Sequence, residues 1–196
     1  MNAESDIEKR ILDHIRANIP SIAEHLVATR DMALEINSAL GDPVLPEKVG
    51  IAGLCHDLAR LVVPEGIPGE LRKRGIDPES LGYVHPILLH GFLGAEIARE
   101  EFGIDDGEIL DAIRHHVTGR VGMTLIEKIV YVADKVDRTR KFPGIETLRN
   151  LALTDFDRAV PEVIAWVIGY VVAEKLPLDY NSVAAYNAAL NDLNKH

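Results

Sequence analysis

The sequence predicts an all-α protein, and three observations lead there. Only 5% of the 196 residues are aromatic while 47% are hydrophobic, and Ala, Leu, Ile, Glu, Lys and Arg dominate the periodic stretches. Apolar positions recur at three- and four-residue spacing, and β-branched runs with period-two alternation are scarce. Proline, glycine and capping signals divide those stretches into roughly eight to ten helices. The length suits one domain, and the apolar fraction is ample for a buried core.

Taken in order, Ile7, Ile11, Ile15 and Ile19 form the stripe of an amphipathic helix that starts near Asp6 and stops at Pro20. His14 lies off that stripe and reads as a surface residue. Ser21-Ile-Ala-Glu24 has the pattern of a capping box opening a second helix to about Leu40, with His25 on its buried side. A turn follows, and Pro46 suits the first position of a third helix running to about Val63. Its centre, Gly50 to Arg60, sets His56 and Asp57 among Ile51, Leu54, Cys55 and Leu58. The stretch from Pro64 to Pro78 is rich in Pro, Gly and charge, with a short helical segment at Glu70 to Arg74, and reads as a mobile, substrate-shaping loop.

A fourth helix around Leu81 to Phe102 carries His90. The adjacent Gly91 and Gly94 weaken that helix, and a closely approaching neighbour or ligand would justify them. His85 precedes Pro86 at the helix entrance and reads as lying outside any site. Asp105 or Asp106 caps a fifth helix from Gly107 to about Val117, which ends in His115-His116. Thr124-Leu-Ile-Glu127 is a second capping box, opening a helix that contains Asp134. Helical patterns then cover Gly144 to Leu153, Phe156 to Glu174 and Ser182 to Leu193. The most apolar stretch, Ala159 to Ala173, falls short of the roughly 20 residues a bilayer needs and includes Pro161 and Glu162, so it reads as a buried core helix. No repeat, low-complexity tract or linker interrupts the chain. A single domain over 1–196 is expected, with helices in 158–196 packing on its core.

Charge narrows the partners. With 21 basic and 31 acidic residues the formal charge is −10, which excludes a general nucleic-acid or anionic-membrane binder. Between Arg114 and Lys141, however, seven basic residues face three acids, a local excess that suits a small polyanionic ligand. The lone Cys55 precludes an internal disulfide, and the first residues lack the basic and apolar regions of a signal peptide, so the cytoplasm is the expected compartment. A homodimer is left open.

His25, His56, Asp57, His90, His116 and Asp134 are the polar residues that fall in apolar helical surroundings, each group on a different helix. Singly, each has an ordinary explanation: a satisfied core or surface histidine, or an aspartate paired with a nearby arginine, as Asp134 with Arg138 at i+4 or Asp57 with Arg60 or Arg72. Together they need one explanation, and a metal site supplies it. Imidazole and carboxylate donors suit divalent Fe, Mn, Co, Ni or Zn, and the lack of thiolates argues against structural zinc. An adjacent His-Asp offers a terminal ligand and a carboxylate able to bridge two ions.

In this order the residues resemble the HD superfamily of metal-dependent phosphohydrolases. Leu89-His-Gly-Phe-Leu-Gly-Ala95, Asp111-Ala-Ile-Arg-His-His-Val-Thr-Gly-Arg120, Gly122-Met-Thr-Leu-Ile-Glu-Lys128, Tyr131-Val-Ala-Asp134 and Phe142-Pro-Gly144 look like the YqeK-type symmetrical bis(5'-nucleosyl)-tetraphosphatases. The likeness spans roughly Ile22 to Asp157. It implies an HD-domain helical bundle in which His25, His56, Asp57 and Asp134 hold one metal ion and Asp57, His90 and His116 a second, with iron the expected native ion. It implies that diadenosine tetraphosphate is cut into two molecules of ADP by attack of a metal-bound hydroxide on phosphorus, with Asp57 and Arg60 in the catalytic set. Family members commonly carry an aromatic residue where His115 stands, so His116 is the expected ligand and His115 a pocket neighbour. Arg60, Arg114, Arg120 and Lys135 are the candidates for gripping the polyphosphate.

Two departures from the family pattern bear on substrate preference and are expected to leave the metal site untouched. Arg60 replaces a lysine, a planar fork in place of a point charge, and Asp137-Arg138 stands where relatives carry Glu-Pro. The rival reading is an HD phosphohydrolase of another phosphorylated nucleotide or alarmone. Less favoured is a di-iron oxygenase, which would leave the basic stretch after Arg114 without a purpose. A non-catalytic nucleotide sensor is disfavoured because all six ligand positions are filled.

Overall fold

The computed structural model describes residues 6–195, and the leader reading at residues 1–5 lies outside them, as does His196. Among the described residues there are ten α-helices and no strand. They are α1 (Asp6–Asn18), α2 (Ala23–Ala39), α3 (Pro46–Cys55), α4 (Ile67–Lys73), α5 (His90–Phe102), α6 (Gly107–His115), α7 (Leu125–Val136), α8 (Ile145–Thr154), α9 (Phe156–Ala173) and α10 (Tyr180–Leu193). The all-α expectation holds.

Helices α2, α3 and α7 pack mutually, α6 joins α3 to α7, and α5 lies on α6. Their shared core contains Leu26, Met32, Ile36, Leu54, Ile113 and Tyr131, all at or near zero exposure. Two glycines set the spacing. A Cβ at Gly53 of α3 would fall 2.8 Å from Arg30 Cα of α2, and one at Gly91 of α5 would fall 2.6 Å from the Arg114 carbonyl oxygen of α6. No side chain fits at such distances, so the close neighbour that Gly91 implies is the backbone of α6.

Several boundaries differ from the sequence reading, each for a local reason. Ser21 forms no capping box. Pro20 opens a 3-10 turn over Pro20–Ile22, and the Ala23 amide is satisfied by the Pro20 carbonyl, leaving Ser21 exposed. The second box is made: Glu127 Oε1 accepts from the Thr124 amide at 3.2 Å and from its hydroxyl at 2.9 Å. Helix α3 stops at Cys55 instead of Val63, and the chain continues in tight turns closed by Leu58 N to Cys55 O and Arg60 N to Asp57 O. The stretch 64–78 is packed: α4 buries Ile67 and Leu71 against Ala59, Leu89 and Leu93. Helix α9 is buried only in its first half, from Phe156 to Ile164, while Tyr170 and Val172 are exposed, so the apolar run is not wholly a core helix.

No helix of the described residues is long and apolar enough to cross a membrane. The backbone contact at Gly91 predicts that Gly91→Ala destabilises the fold by about 1–3 kcal/mol, the usual cost of overpacking. Thermal denaturation checks this, and an unchanged midpoint would mean that α5 can draw away from α6 without loss.

Candidate metal centre

Helix C-termini leave carbonyl oxygens without amide partners, and two histidines, His56 and His116, fill that vacancy here, while a third, His90, bonds a carbonyl that its own amide also reaches. His56 follows the last residue of α3, His116 the last of α6, and His90 the 3-10 turn Pro86–Leu89. His56 Nδ1 donates to Gly53 O at 2.8 Å, His90 Nδ1 to Ile87 O at 2.5 Å, and His116 Nδ1 to Ile113 O at 2.7 Å. A carbonyl can only accept, so each Nδ1 carries the proton and each Nε2 presents a lone pair. His25, in the first turn of α2, has its Nδ1 3.2 Å from Asp137 Oδ2 and 3.5 Å from the Thr29 hydroxyl.

The four Nε2 atoms converge in two pairs. His25 faces His56 at 3.1 Å, and His90 faces His116 at 3.1 Å. The two oxygens of Asp57 divide between them: Oδ1 lies 2.9 Å from His90 Nε2 and 3.4 Å from His116 Nε2, while Oδ2 lies 3.9 Å from His25 Nε2 and 3.8 Å from His56 Nε2. Asp134 Oδ1 completes the first pair, 3.2 Å from His25 Nε2 and 3.6 Å from His56 Nε2. Two features fit these residues to bound cations. Lone pairs face one another at 3.1 Å in the His90–His116 pair, and Asp57 Oδ1 is buried with no hydrogen-bond donor although imidazole nitrogens surround it. Leaving such a group unsatisfied costs about 1–3 kcal/mol, and a divalent ion removes both problems at once.

Protonation states agree with ligation. Burial raises the Asp57 and Asp134 carboxyls, but the histidines around them, and Lys135 beside Asp134, hold both well below the usual carboxylate range. Burial pushes His116 down to about 4 against the opposing pull of Asp57, so it is neutral. Burial lowers His25 too, yet the hydrogen bonds it donates to Asp134 and Asp137 carry it up to about 9. Ligands of this kind must shed protons to bind a metal, and His25 is the one that must do so at neutral pH.

Five of the six clustered residues, all but the fully buried His56, line a cavity of about 950 Å³, whose lining also includes Arg60, Lys135, Arg140, Phe142, Trp166 and Tyr170. A depression of about 380 Å³ between α1 and α2 is lined by none of the six clustered residues. The expected phosphate-binding cations separate sharply. Arg60 is at the cavity with Nε 3.9 Å from Asp57 Oδ2 and its side chain 46% exposed. Lys135 lines it too, bonded to Asp134 and, at 3.1 Å, to the His116 carbonyl. Arg114 and Arg120 do not line it. Arg114 is bound to Asp111 at 2.8 Å and Glu96 at 3.2 Å, and Arg120 to the buried Glu127 at 2.7 Å, so their charges are spent on structural carboxylates. His115 also faces away, edge-on to Phe92 with centroids 5.5 Å apart, against its reading as a neighbour in the substrate pocket. None of residues 64–78 borders the cavity, against the reading of that stretch as a substrate-shaping loop.

Sequence reasoning missed two contributors. Asp137, set apart as a substrate-related departure, is fully buried and holds His25, so it belongs to the centre itself. Arg140 Nη2 donates to Asp134 Oδ1 at 2.6 Å, taking the place assigned to Arg138, which pairs with Glu35 instead. The i+4 rule failed because α7 ends at Val136; the chain then turns, with Arg140 N bonded to Asp137 O at 3.1 Å. The basic run that includes Arg140 was the available signal.

Comparison with known proteins points the same way. The HD domain family profile matches residues 22–139. The chain is 33% identical over 163 residues to a symmetrical bis(5'-nucleosyl)-tetraphosphatase of Bacillus subtilis, covering 83% of this chain and 86% of that protein. It is 30% identical to one of the same description from Halalkalibacterium halodurans, covering 85% and 88%. A crystal structure from Clostridium acetobutylicum, described as a predicted HD superfamily hydrolase involved in NAD metabolism, superposes with a TM-score of 0.84 at 31% identity over 94% of this chain and 97% of that one.

The contact between Asp137 and His25 generates a prediction. Asp137→Ala should weaken metal binding about 10- to 100-fold, the usual effect of removing a carboxylate that orients a ligating histidine. Titration against a competing chelator, with helix content followed by circular dichroism, measures it; wild-type affinity in a folded variant would exclude Asp137 from the centre.

Proposed function

The chain belongs to the HD domain family, and on that footing we propose that it hydrolyses diadenosine tetraphosphate and related dinucleoside polyphosphates symmetrically to two nucleoside diphosphates. It is an acid anhydride hydrolase: one water adds across the central P–O–P linkage, and each half leaves as a diphosphate. The observation that carries the reading is the division of Asp57, whose two oxygens face two different histidine pairs.

His25, His56, Asp57 and Asp134 would hold one divalent ion, and Asp57, His90 and His116 a second. The all-nitrogen-and-oxygen donor set suits iron, with Mn, Co, Ni or Zn able to substitute. When bound, such ions polarise phosphoryl oxygens and generate a nucleophile from water at neutral pH. The protein supplies the rest. Carbonyl-anchored imidazoles keep the donor atoms fixed, and Arg60 presents a guanidinium at the cavity wall for the incoming phosphates. Lys135 and Arg140, both tied to Asp134, place two further positive charges on the same wall. We assign the whole chain to one HD domain on which the 158–196 helices pack, working as a cytoplasmic enzyme.

Product analysis by nucleotide chromatography should show ADP alone from diadenosine tetraphosphate; AMP with ATP would mean asymmetric cleavage, and preferential turnover of a guanosine alarmone would favour the rival phosphohydrolase. Asp57→Ala should lose bound metal and hydrolysis together. Arg60→Ala should keep its metal while kcat/KM falls about 100-fold, the scale for removing one charge-stabilising donor. An unchanged rate would take Arg60 out of the phosphate grip.

A further inference from the structure

The cavity lining is of two kinds. Besides the carboxylates and cations it includes an aromatic array. Phe142, on the segment after α7, stacks on Trp166 of α9 with ring centroids 3.9 Å apart and planes 19° from parallel. Trp166 in turn lies nearly parallel to Tyr170, one helical turn on, at 5.9 Å and 13°. All three border the cavity. Trp166 and Tyr170 are outside the buried core, and Tyr170 is 52% exposed, so core packing does not account for them.

Parallel rings ending in an open face are built to receive another flat ring. Stray exposed aromatics carry no such order, and a docking patch for a protein would not sit inside the cavity that holds the metal ligands. On the premise of a dinucleoside polyphosphate substrate, we propose that the Phe142–Trp166–Tyr170 array is the nucleobase subsite, with a purine base stacked on its Tyr170 end while the phosphates run toward Arg60 and the metal ligands. The cavity, about 950 Å³, is near the upper end of the about 300–1,000 Å³ common for ligand pockets, which leaves room for a base beside the phosphates.

Stacking is indifferent to the hydrogen-bonding edge of a base, because every base has a π-face. Val167, Val171 and Leu178 of the same lining carry no side-chain donor or acceptor, and of its polar members Asp179 and Thr139 are already bonded within the protein, to the Val84 and Asn181 amides and to Asp137. Adenine and guanine are therefore accepted alike, and the smaller pyrimidines bind more weakly.

Trp166 is the only tryptophan in the chain, so its fluorescence reports on this subsite alone. The metal-loaded enzyme is titrated with ADP, GDP and inorganic pyrophosphate, and diadenosine tetraphosphate kinetics are measured for Tyr170→Ala and Tyr170→Phe. Tyr170 is on the outer half of α9, so neither substitution disturbs the core. ADP and GDP should quench Trp166 saturably and pyrophosphate should not. Tyr170→Ala should raise KM about tenfold with kcat unchanged, the scale for one lost stacking partner, and Tyr170→Phe should restore the parent KM. Normal hydrolysis with no response of Trp166 to inhibitory ADP, or a parental KM in Tyr170→Ala, overturns the subsite and leaves the enzyme reading standing. Absence of both hydrolysis and quenching overturns that reading and the subsite with it.

Discussion

A ring proton given to a carbonyl three residues back is the interaction on which the centre depends. His56, His90 and His116 each use it, and His56 and His116 do so where a helix ends and a carbonyl would otherwise lack a partner. The bond caps the helix, fixes the tautomer and turns Nε2 inward in a single step. Five buried polar side chains left unsatisfied would together cost an amount comparable to the whole stability of a domain, about 5–15 kcal/mol, so the anchoring bonds are part of the fold as well as the chemistry.

The proposed substrate is a polyanion, so an acidic protein must place its positive charge locally. Here most of the basic residues between Arg114 and Lys141 are already committed. Arg114 and Arg120 brace α6 and α7 through Asp111, Glu96 and Glu127, while Lys135 and Arg140 offset Asp134. The half-exposed Arg60 makes only a long contact, 3.9 Å, to Asp57. Its position three residues past the His-Asp pair puts a cation beside the shared carboxylate by sequence proximity alone.

The helices and the six clustered residues were legible because both are written in local pattern: apolar spacing marks the helices, and a histidine or aspartate in an apolar run is conspicuous wherever it falls. The Thr124–Glu127 box was readable for the same reason, whereas Ser21 was overridden by Pro20, which imposes a 3-10 turn before the helix can begin. Arg140 and Asp137 were obscured because their roles depend on where α7 stops and how the chain then turns. Arg114 and Arg120 looked available because sequence shows charge but not the partner that neutralises it. The aromatic wall was hidden inside a stretch whose hydrophobicity reads as core; the packing of α9 against α7, α8 and α10 separates its buried half from its open one.

The bare α-carbon at Gly91 lets the main chains of α5 and α6 touch beside His90 and His116. The spacing of those two ligands is thereby fixed by backbone against backbone, independent of any rotamer in the cavity. On the proposed reading, chemistry and recognition are carried by separate parts of the molecule. Residues along the outer half of α9 could then change, and with them the range of nucleotides admitted, while the geometry of the His–Asp cluster is inherited unaltered.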